Sequence, residues 1–169
     1  MMIFSTIAIL LFPLLMAFAA SSDLLTMRIS NVLVGILVAG YFLVAFVLQV
    51  PMEEIGQNLL VAGITLVVGF TFFAFRWVGG GDAKLAAATM LWIGLSELLP
   101  YLVYAALLGG ALTMAVIAIR RWPLPARLAQ VKWLDRLHDN KSGVPDGIAL
   151  AAAGILDYTD TAIFRHLAA

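Results

Sequence analysis

Long apolar runs alternate with short polar stretches along the whole chain, and the length of the runs indicates helices that cross a membrane. A membrane helix needs about 20 mostly apolar residues. Six runs reach or approach that length, and they cover residues 2–20, 32–50, 59–75, 83–95, 101–119 and 148–163. We therefore expect an all-α, polytopic membrane protein with about six transmembrane helices, in one domain that occupies residues 1–169.

Polar residues and a proline interrupt the second half of this pattern. The fourth run is short and ends at Ser96-Glu97, and Pro100 favours a tight hairpin before the fifth helix. Asp157 and Asp160 interrupt the sixth run. The first run is as apolar as a secretory signal, but no Lys or Arg precedes it, so we expect it to be retained as the first helix.

The composition agrees with lipid as the main surrounding of the chain. Hydrophobic residues make up 63% of the sequence and charged residues 12%, whereas soluble domains are about 45–50% apolar and about 25% charged. The absence of cysteine excludes disulfides, thiolate metal sites and a cysteine nucleophile. His138 and His166 lie far apart in sequence, so no metal or other cofactor is predicted. The formal net charge of zero gives no indication of a nucleic-acid partner.

The distribution of basic residues predicts the orientation. All Lys and Arg residues except Arg165 fall in the connections after the first, third and fifth helices. Loops rich in these residues stay in the cytoplasm. We therefore expect both termini outside and the long connection 120–142 inside. The apolar residues of that connection predict an amphipathic helix over 120–141 on the inner leaflet, with a solvated basic loop as the alternative.

Two aspartates are the candidates for chemistry. Asp23 follows Ser21-Ser22 at the end of the first helix, and Asp82 follows Gly79-Gly80-Gly81 at the start of the fourth. The predicted topology brings both to the cytoplasmic boundary, where an ionisable group at membrane depth indicates function.

Each aspartate also has a structural explanation. Asp23 alone is compatible with a polar helix end, and Asp82 with a helix N-cap. An N-cap, however, does not require three consecutive glycines before it. Glycine permits positive φ and the close approach of another backbone, such as an extended peptide, beside the carboxylate.

A pair of carboxylates suits the hydrolysis of a peptide bond. Two acids a few ångströms apart cannot both ionise easily, so they share one proton. The ionised acid can then act as a base toward water while the protonated acid donates to the carbonyl oxygen. The pair titrates as a unit, so the proton is not assigned to either aspartate.

The chain resembles the type IV prepilin peptidases at three separated places. Gly79-Gly80-Gly81-Asp82, continued by Ala83-Lys84-Leu85, matches the Gly-x-Gly-Asp motif of that family. Asp23, Arg28, Ile29 and Asn31 resemble the segment that carries the first family aspartate. Val144-Pro145-Asp146-Gly147-Ile148-Ala149 resembles a Val-Pro-Tyr-Gly-Ile-Ala signature at the last helix.

The resemblance implies an aspartyl endopeptidase that removes a leader from prepilin-like proteins at the cytoplasmic boundary. Asp23 and Asp82 would be catalytic. Supporting or substrate-contacting roles would fall to Gly79, Gly80, Gly81, Lys84, Arg28, Asn31, Pro145, Asp146 and Gly147.

Two departures from the family pattern affect what is expected. Asp146 replaces the usual tyrosine, either as a turn residue or as a third carboxylate that perturbs the pair or contacts substrate. The chain also begins directly with the first helix and lacks the cysteine-containing region linked to methylation of the new pilin N-terminus. It is similar to the short form associated with Flp/Tad pilus assembly. The resemblance therefore does not imply methylation of the new pilin N-terminus.

Two other functions are compatible with intramembrane acids. A small transporter or proton conduit could relay ions through Asp23 and Asp82, since short helices and buried acids also mark such proteins. Against it, no inverted repeat is evident, and both acids are predicted at one boundary. A Gly-x-Gly-Asp protease of the presenilin type would cut within the bilayer, which the boundary position does not favour.

Overall fold

The predicted all-α class is confirmed in the part of the chain that the structure describes. The structure is a computed structural model that describes residues 2–125, 128 and 130–168, and every regular element within them is helical. Arg127 of the predicted basic loop lies outside the described residues. The helices are α1 Met2–Thr26, α2 Asn31–Val47, α3 Met52–Ala74, α4 Gly80–Ile93, α5 Leu98–Arg120, α6 Lys132–His138, α7 Gly147–Asp157 and α8 Ala162–Ala168.

Three of these helices are long and apolar enough to cross a membrane: Ile7–Thr26 within α1, and the whole of α3 and α5. The apolar helix α2 is shorter, with 17 residues. At a rise of about 1.5 Å per residue, the 14-residue α4 and the 11-residue α7 are about 21 and about 16 Å long. Both are shorter than a hydrocarbon core of about 30 Å. Six spans and the predicted sidedness therefore remain predictions.

The short helix α4 is the centre of the bundle. It packs against α3 along its length and also contacts α2 and α7. Nearly all of its residues from Ala83 to Ile93 are buried. Trp92 is completely buried, and its Nε1 donates to the backbone oxygen of Leu37 at 3.0 Å. A helix fixed on all sides in this way gives Asp82, in its first turn, a defined position.

The hairpin between α3 and α4 depends on close packing at one glycine. A Cβ added at Gly69 would lie 2.9 Å from Cβ and 3.2 Å from Cα of Ala83. At the hairpin turn, Arg76 adopts φ 61°, and the Trp77 N–H bonds the Phe72 carbonyl at 3.0 Å. This left-handed ending closes α3 immediately before the glycine run.

The last predicted helix is divided. Helix α7 ends at Asp157, a 3-10 turn covers Tyr158–Asp160, and α8 follows. The two acids that interrupt the apolar run therefore coincide with the break. Helix α7 packs between α1 and α5, which brings its first residue, Gly147, beside the end of α1.

Three local predictions need correction. Helix α1 continues through Ser21-Ser22-Asp23 to Thr26, so Asp23 lies within the helix rather than at its end. Of the amphipathic helix predicted over 120–141, the described residues beyond Arg120 form only α6, and residues 126, 127 and 129 lie outside the described part of the chain. Pro123 and Pro125 lack backbone donors and disfavour helix before them. Pro100 lies inside the first turn of α5, where a missing N–H costs nothing, and the hairpin turn covers 94–97 instead.

We predict that Gly69→Ala lowers the melting temperature of the detergent-solubilised protein, because the added methyl group overlaps Ala83. Overpacking of this kind costs about 1–3 kcal/mol. Gly63→Ala on the same helix is the matched control, since a Cβ there meets nothing within 4 Å. Equal melting temperatures for the two variants would contradict close packing of α3 on α4.

Candidate active site

Asp23 is buried and held by the backbone of another helix. The residue is 5% exposed to solvent. The N–H of Gly147, the first residue of α7, donates to Oδ2 of Asp23 at 2.8 Å. A Cβ at position 147 would lie 2.7 Å from the same oxygen and 2.9 Å from Cδ1 of Ile29. Only glycine lets the start of α7 approach the carboxylate this closely.

Asp82 is the third residue of α4, and Gly79 is the N-cap. The explanation of Asp82 as the N-cap is therefore wrong. Its carboxylate instead lies back against Gly79. A Cβ at position 79 would lie 2.5 Å from Oδ2 of Asp82. The carboxylate is thus held at the start of the helix, in the manner of an acidic residue that reaches back to the cap.

The glycines at 79, 80 and 81 leave room for neighbouring atoms and do not adopt positive φ. Gly79 has φ −68°, and in the described residues the one glycine with positive φ is Gly94. A Cβ at Gly80 would lie 3.2 Å from the ring of Phe73, and one at Gly81 would lie 3.1 Å from Cβ of Ile29. The run therefore does not use the positive φ that glycine permits, and its glycines make room for neighbouring side chains instead. The approach of an extended peptide to this run remains a prediction.

The turn between α1 and α2 places Ile29 between Gly81 and Gly147. Met27 adopts φ 51°, and the carbonyl of Arg28 accepts from Ser22 Oγ and Thr26 Oγ1, each at 3.2 Å. Ile29 consequently touches both Gly81 on α4 and Gly147 on α7. This single side chain joins the three segments in which the sequence motifs lie.

The structure brings the two aspartates to one cleft. Asp23, Asp82 and Asp146 all line a cavity of about 630 Å³. The other lining residues are Met27, Phe73, Arg76, Trp77, Val78, Gly79, Thr113, Gly143 and Val144. Asp23 and Asp82 also line a smaller opening of about 280 Å³, together with Arg28. A substrate in the cleft would therefore meet both carboxylates.

Asp146 is part of this cleft as well as part of a turn. It immediately precedes α7, and its N–H bonds the Val144 carbonyl at 2.9 Å. Burial raises the pKa of the Asp146 carboxyl. The two interpretations of this residue are thus compatible: its backbone forms the turn, and its side chain adds a third carboxyl to the cavity.

The other supporting residues fall in different places. Lys84 Nζ donates to Oδ1 of Asn31 at 3.0 Å, which joins α4 to α2 outside the residues that line the cleft. Arg28 is exposed at the smaller opening. Pro145 is buried behind the cleft wall. Among the described residues, no group of His, Cys, Asp and Glu is arranged to hold a metal ion.

Sequence reasoning missed the link between Gly147 and Asp23 and the role of Met27 in shaping the turn. The Val-Pro-Asp-Gly-Ile-Ala segment contained the signal for the first, since a required glycine indicates a close approach. Its partner, Asp23, could not be predicted, because the two residues meet only when α7 packs on α1.

The sequence pattern of the type IV leader peptidase family matches residues 10–114. The chain belongs to this family. The match includes both Asp23 and Asp82 and ends before the segment that contains Asp146 and Gly147. No curated protein and no solved structure matches the chain. With its long apolar helices, the chain is an integral membrane peptidase of the prepilin leader peptidase type.

We predict that Gly147→Ala lowers the peptidase rate about 100-fold or more, because the methyl group displaces Asp23 and misplacements of about 1 Å can cost that much. Cleavage of a prepilin-like substrate in lipid, followed by mass spectrometry, measures the loss.

Gly110→Ala is the control for this variant, since a Cβ at that position on α5 meets nothing within 4 Å. A Gly147→Ala protein as active as this control would show that the approach of α7 to Asp23 does not matter for cleavage.

Proposed function

We propose that the protein is an aspartic-type endopeptidase in which Asp23 and Asp82 together hydrolyse a peptide bond of a prepilin-like substrate. The observation that carries the proposal is that both carboxyl groups line the same cleft, although they lie on different helices. Family membership supports a leader peptidase activity in general. The assignment of the two residues is our own.

The proposed reaction needs one ionised and one protonated carboxyl. The ionised group accepts a proton from a water molecule as the water oxygen bonds the carbonyl carbon, and the protonated group donates to the carbonyl oxygen. In the second step the C–N bond breaks as the carboxyl group that took the water proton donates it to the leaving nitrogen. The other, now ionised, carboxylate accepts a proton from a hydroxyl of the tetrahedral carbon as the product carbonyl forms, which restores the starting pair. Two nearby carboxyls in a partly buried cleft favour the shared proton that this cycle requires.

The shape of the cleft suits a peptide that is partly in the membrane. Its walls include the aromatic side chains of Phe73, in the last turn of the apolar helix α3, and of Trp77, just beyond the end of that helix. Three acids, Asp23, Asp82 and Asp146, line it together with one basic residue, Arg76, so acidic residues predominate and would complement a basic leader. A substrate with a basic leader before an apolar helix would place its junction at the acids.

We further propose the location and the biological class. The basic connections support a cleft at the cytoplasmic face of the bacterial inner membrane, with both termini outside. Among the uses of such peptidases we propose Flp/Tad pilus assembly, the use associated with the peptidases to which the sequence is similar. The gathering of both acids in one cleft favours this reaction over a relay of ions along a transport path.

We predict that Asp23→Asn and Asp82→Asn each abolish leader release. General acid–base groups contribute about 10²–10⁴-fold to rate, and each substitution removes one such group. Asp146→Asn should reduce cleavage less than about tenfold, because that residue takes no proton in the proposed cycle. The protein is reconstituted in lipid with prepilin-like proteins encoded near its gene, and leader release is followed by mass spectrometry.

Asp160→Asn is the matched control, since this aspartate is exposed at the break between α7 and α8. Leader release by Asp23→Asn or Asp82→Asn at the rate of this control would overturn the proposed pair. An aspartate-dependent ion flux in proteoliposomes, with no cleavage of a verified cognate substrate by the unmodified protein, would favour the transport function instead.

A further inference from the structure

Arg120 holds the loop that leads into the cleft. It is the last residue of α5 and is partly buried. Its Nε donates to the Leu137 carbonyl at 2.8 Å, and its Nη2 donates to the carbonyls of Ser142 and Gly143 at 3.1 and 2.9 Å. One guanidinium group thus binds three backbone oxygens of the same connection.

None of these three carbonyls has a hydrogen-bond partner within a helix. Leu137 lies in the last turn of α6, where carbonyls lack intrahelical partners. Ser142 and Gly143 lie in the irregular segment between α6 and α7. Arg120 therefore caps the short helix α6 and fixes the start of the segment that follows it.

The anchored segment continues directly into the cleft. Gly143, Val144 and Asp146 line the cavity, and the next residue, Gly147, donates its N–H to Asp23. Four residue steps separate Gly143 from Gly147, so even a fully extended chain spans at most about 14 Å between them. A displacement of the anchored carbonyls would therefore be passed to Asp146 and to the Gly147 amide.

The arrangement requires arginine rather than any cation. A guanidinium presents five N–H donors in a rigid planar fork, whereas an ammonium is a compact charge on a flexible stem. Lys at position 120 would have three donors but no planar fork, so it would not hold all three carbonyls in their present geometry. The charge itself also suits the C-terminal end of α5, and the neighbouring Arg121 would supply that part of the effect.

We propose that Arg120 is a positioning residue for peptide cleavage, which holds the Ser142–Gly143 backbone so that Asp146 and the Gly147 amide stay in place at Asp23. This inference rests on the proposed function. Helix α7 itself is held by packing between α1 and α5. Loss of the guanidinium is therefore expected to loosen the segment 138–147 and to leave the helical bundle intact.

The first test needs no substrate. Backbone hydrogen exchange is measured by mass spectrometry for the full chain in lipid nanodiscs, with Arg120→Ala, Arg120→Lys and Arg121→Ala. Arg121 is exposed and adjacent, which makes it the matched control. We expect at least tenfold faster exchange in peptides that cover 138–147 for both Arg120 variants, and unchanged exchange in α1 and α4. Unchanged exchange in 138–147 would overturn the proposal.

The second test separates positioning from a general loss of stability. On a prepilin-like substrate cleaved by the unmodified protein, we expect kcat of Arg120→Ala to fall about 10- to 100-fold and KM to change less than threefold, because the groups are misplaced while the cleft persists. Addition of guanidinium salt should restore part of kcat in Arg120→Ala but not in Gly147→Ala. A higher KM with unchanged kcat would contradict a positioning role for Arg120. So would a failure of guanidinium to restore any of kcat.

The two proposals fail in different ways. If Arg120→Ala does not fold, Arg120→Lys is used for both tests. We expect it to exchange faster than the unmodified protein in 138–147 and to retain a reduced kcat. Full activity of both Arg120 variants, with Asp23→Asn inactive, would overturn only the role of Arg120. Full activity of Asp23→Asn would overturn the proposed function, while the exchange experiment would still decide whether Arg120 fixes the loop.

Discussion

The hydrogen bond from the Gly147 amide to the Asp23 carboxylate is the contact on which the rest of the site depends. It joins the end of α1 to the start of α7, two segments separated by most of the chain, at 2.8 Å. A hydrogen bond from an amide to a carboxylate is stronger than one between neutral groups. The bond therefore fixes both the orientation of Asp23 and the entry of the loop that contains Asp146.

Small residues make this convergence possible. Gly79 leaves room for the Asp82 carboxylate, Gly81 and Gly147 receive Ile29, and Gly69 lets α3 lie directly on Ala83 of α4. Close approach through glycine is common where membrane helices pack. In this protein the same device brings two acids and an irregular loop together at the end of a bundle.

Part of this arrangement could be predicted from the sequence. Run lengths predict the all-α class, and Gly79-Gly80-Gly81-Asp82 indicates a close approach at Asp82, because these features depend on local composition. The partners of the glycines could not be predicted, since Ile29 and Asp23 are distant in sequence from Gly147. The extent of α1 was underestimated because Ser21-Ser22-Asp23 looks polar, although Asp23 is buried by α7 in the folded chain.

The role of the connecting loop is the least evident from sequence. Arg120 is one of several basic residues whose number indicates only topology, and its three backbone bonds exist only in the folded chain. The prolines at 123 and 125 explain why the connection is irregular and why α6 is short. An irregular loop needs side-chain donors to satisfy its carbonyls, and Arg120 supplies them.

The most direct test of the central claim is a single-turnover measurement of leader release by Asp23→Asn, Asp82→Asn and the double variant. If the two carboxyls act as one unit, each single variant should be as slow as the double variant, because removing either member stops the shared proton cycle. A double variant whose loss is the product of two moderate single losses would show that the residues act independently and would contradict a catalytic pair.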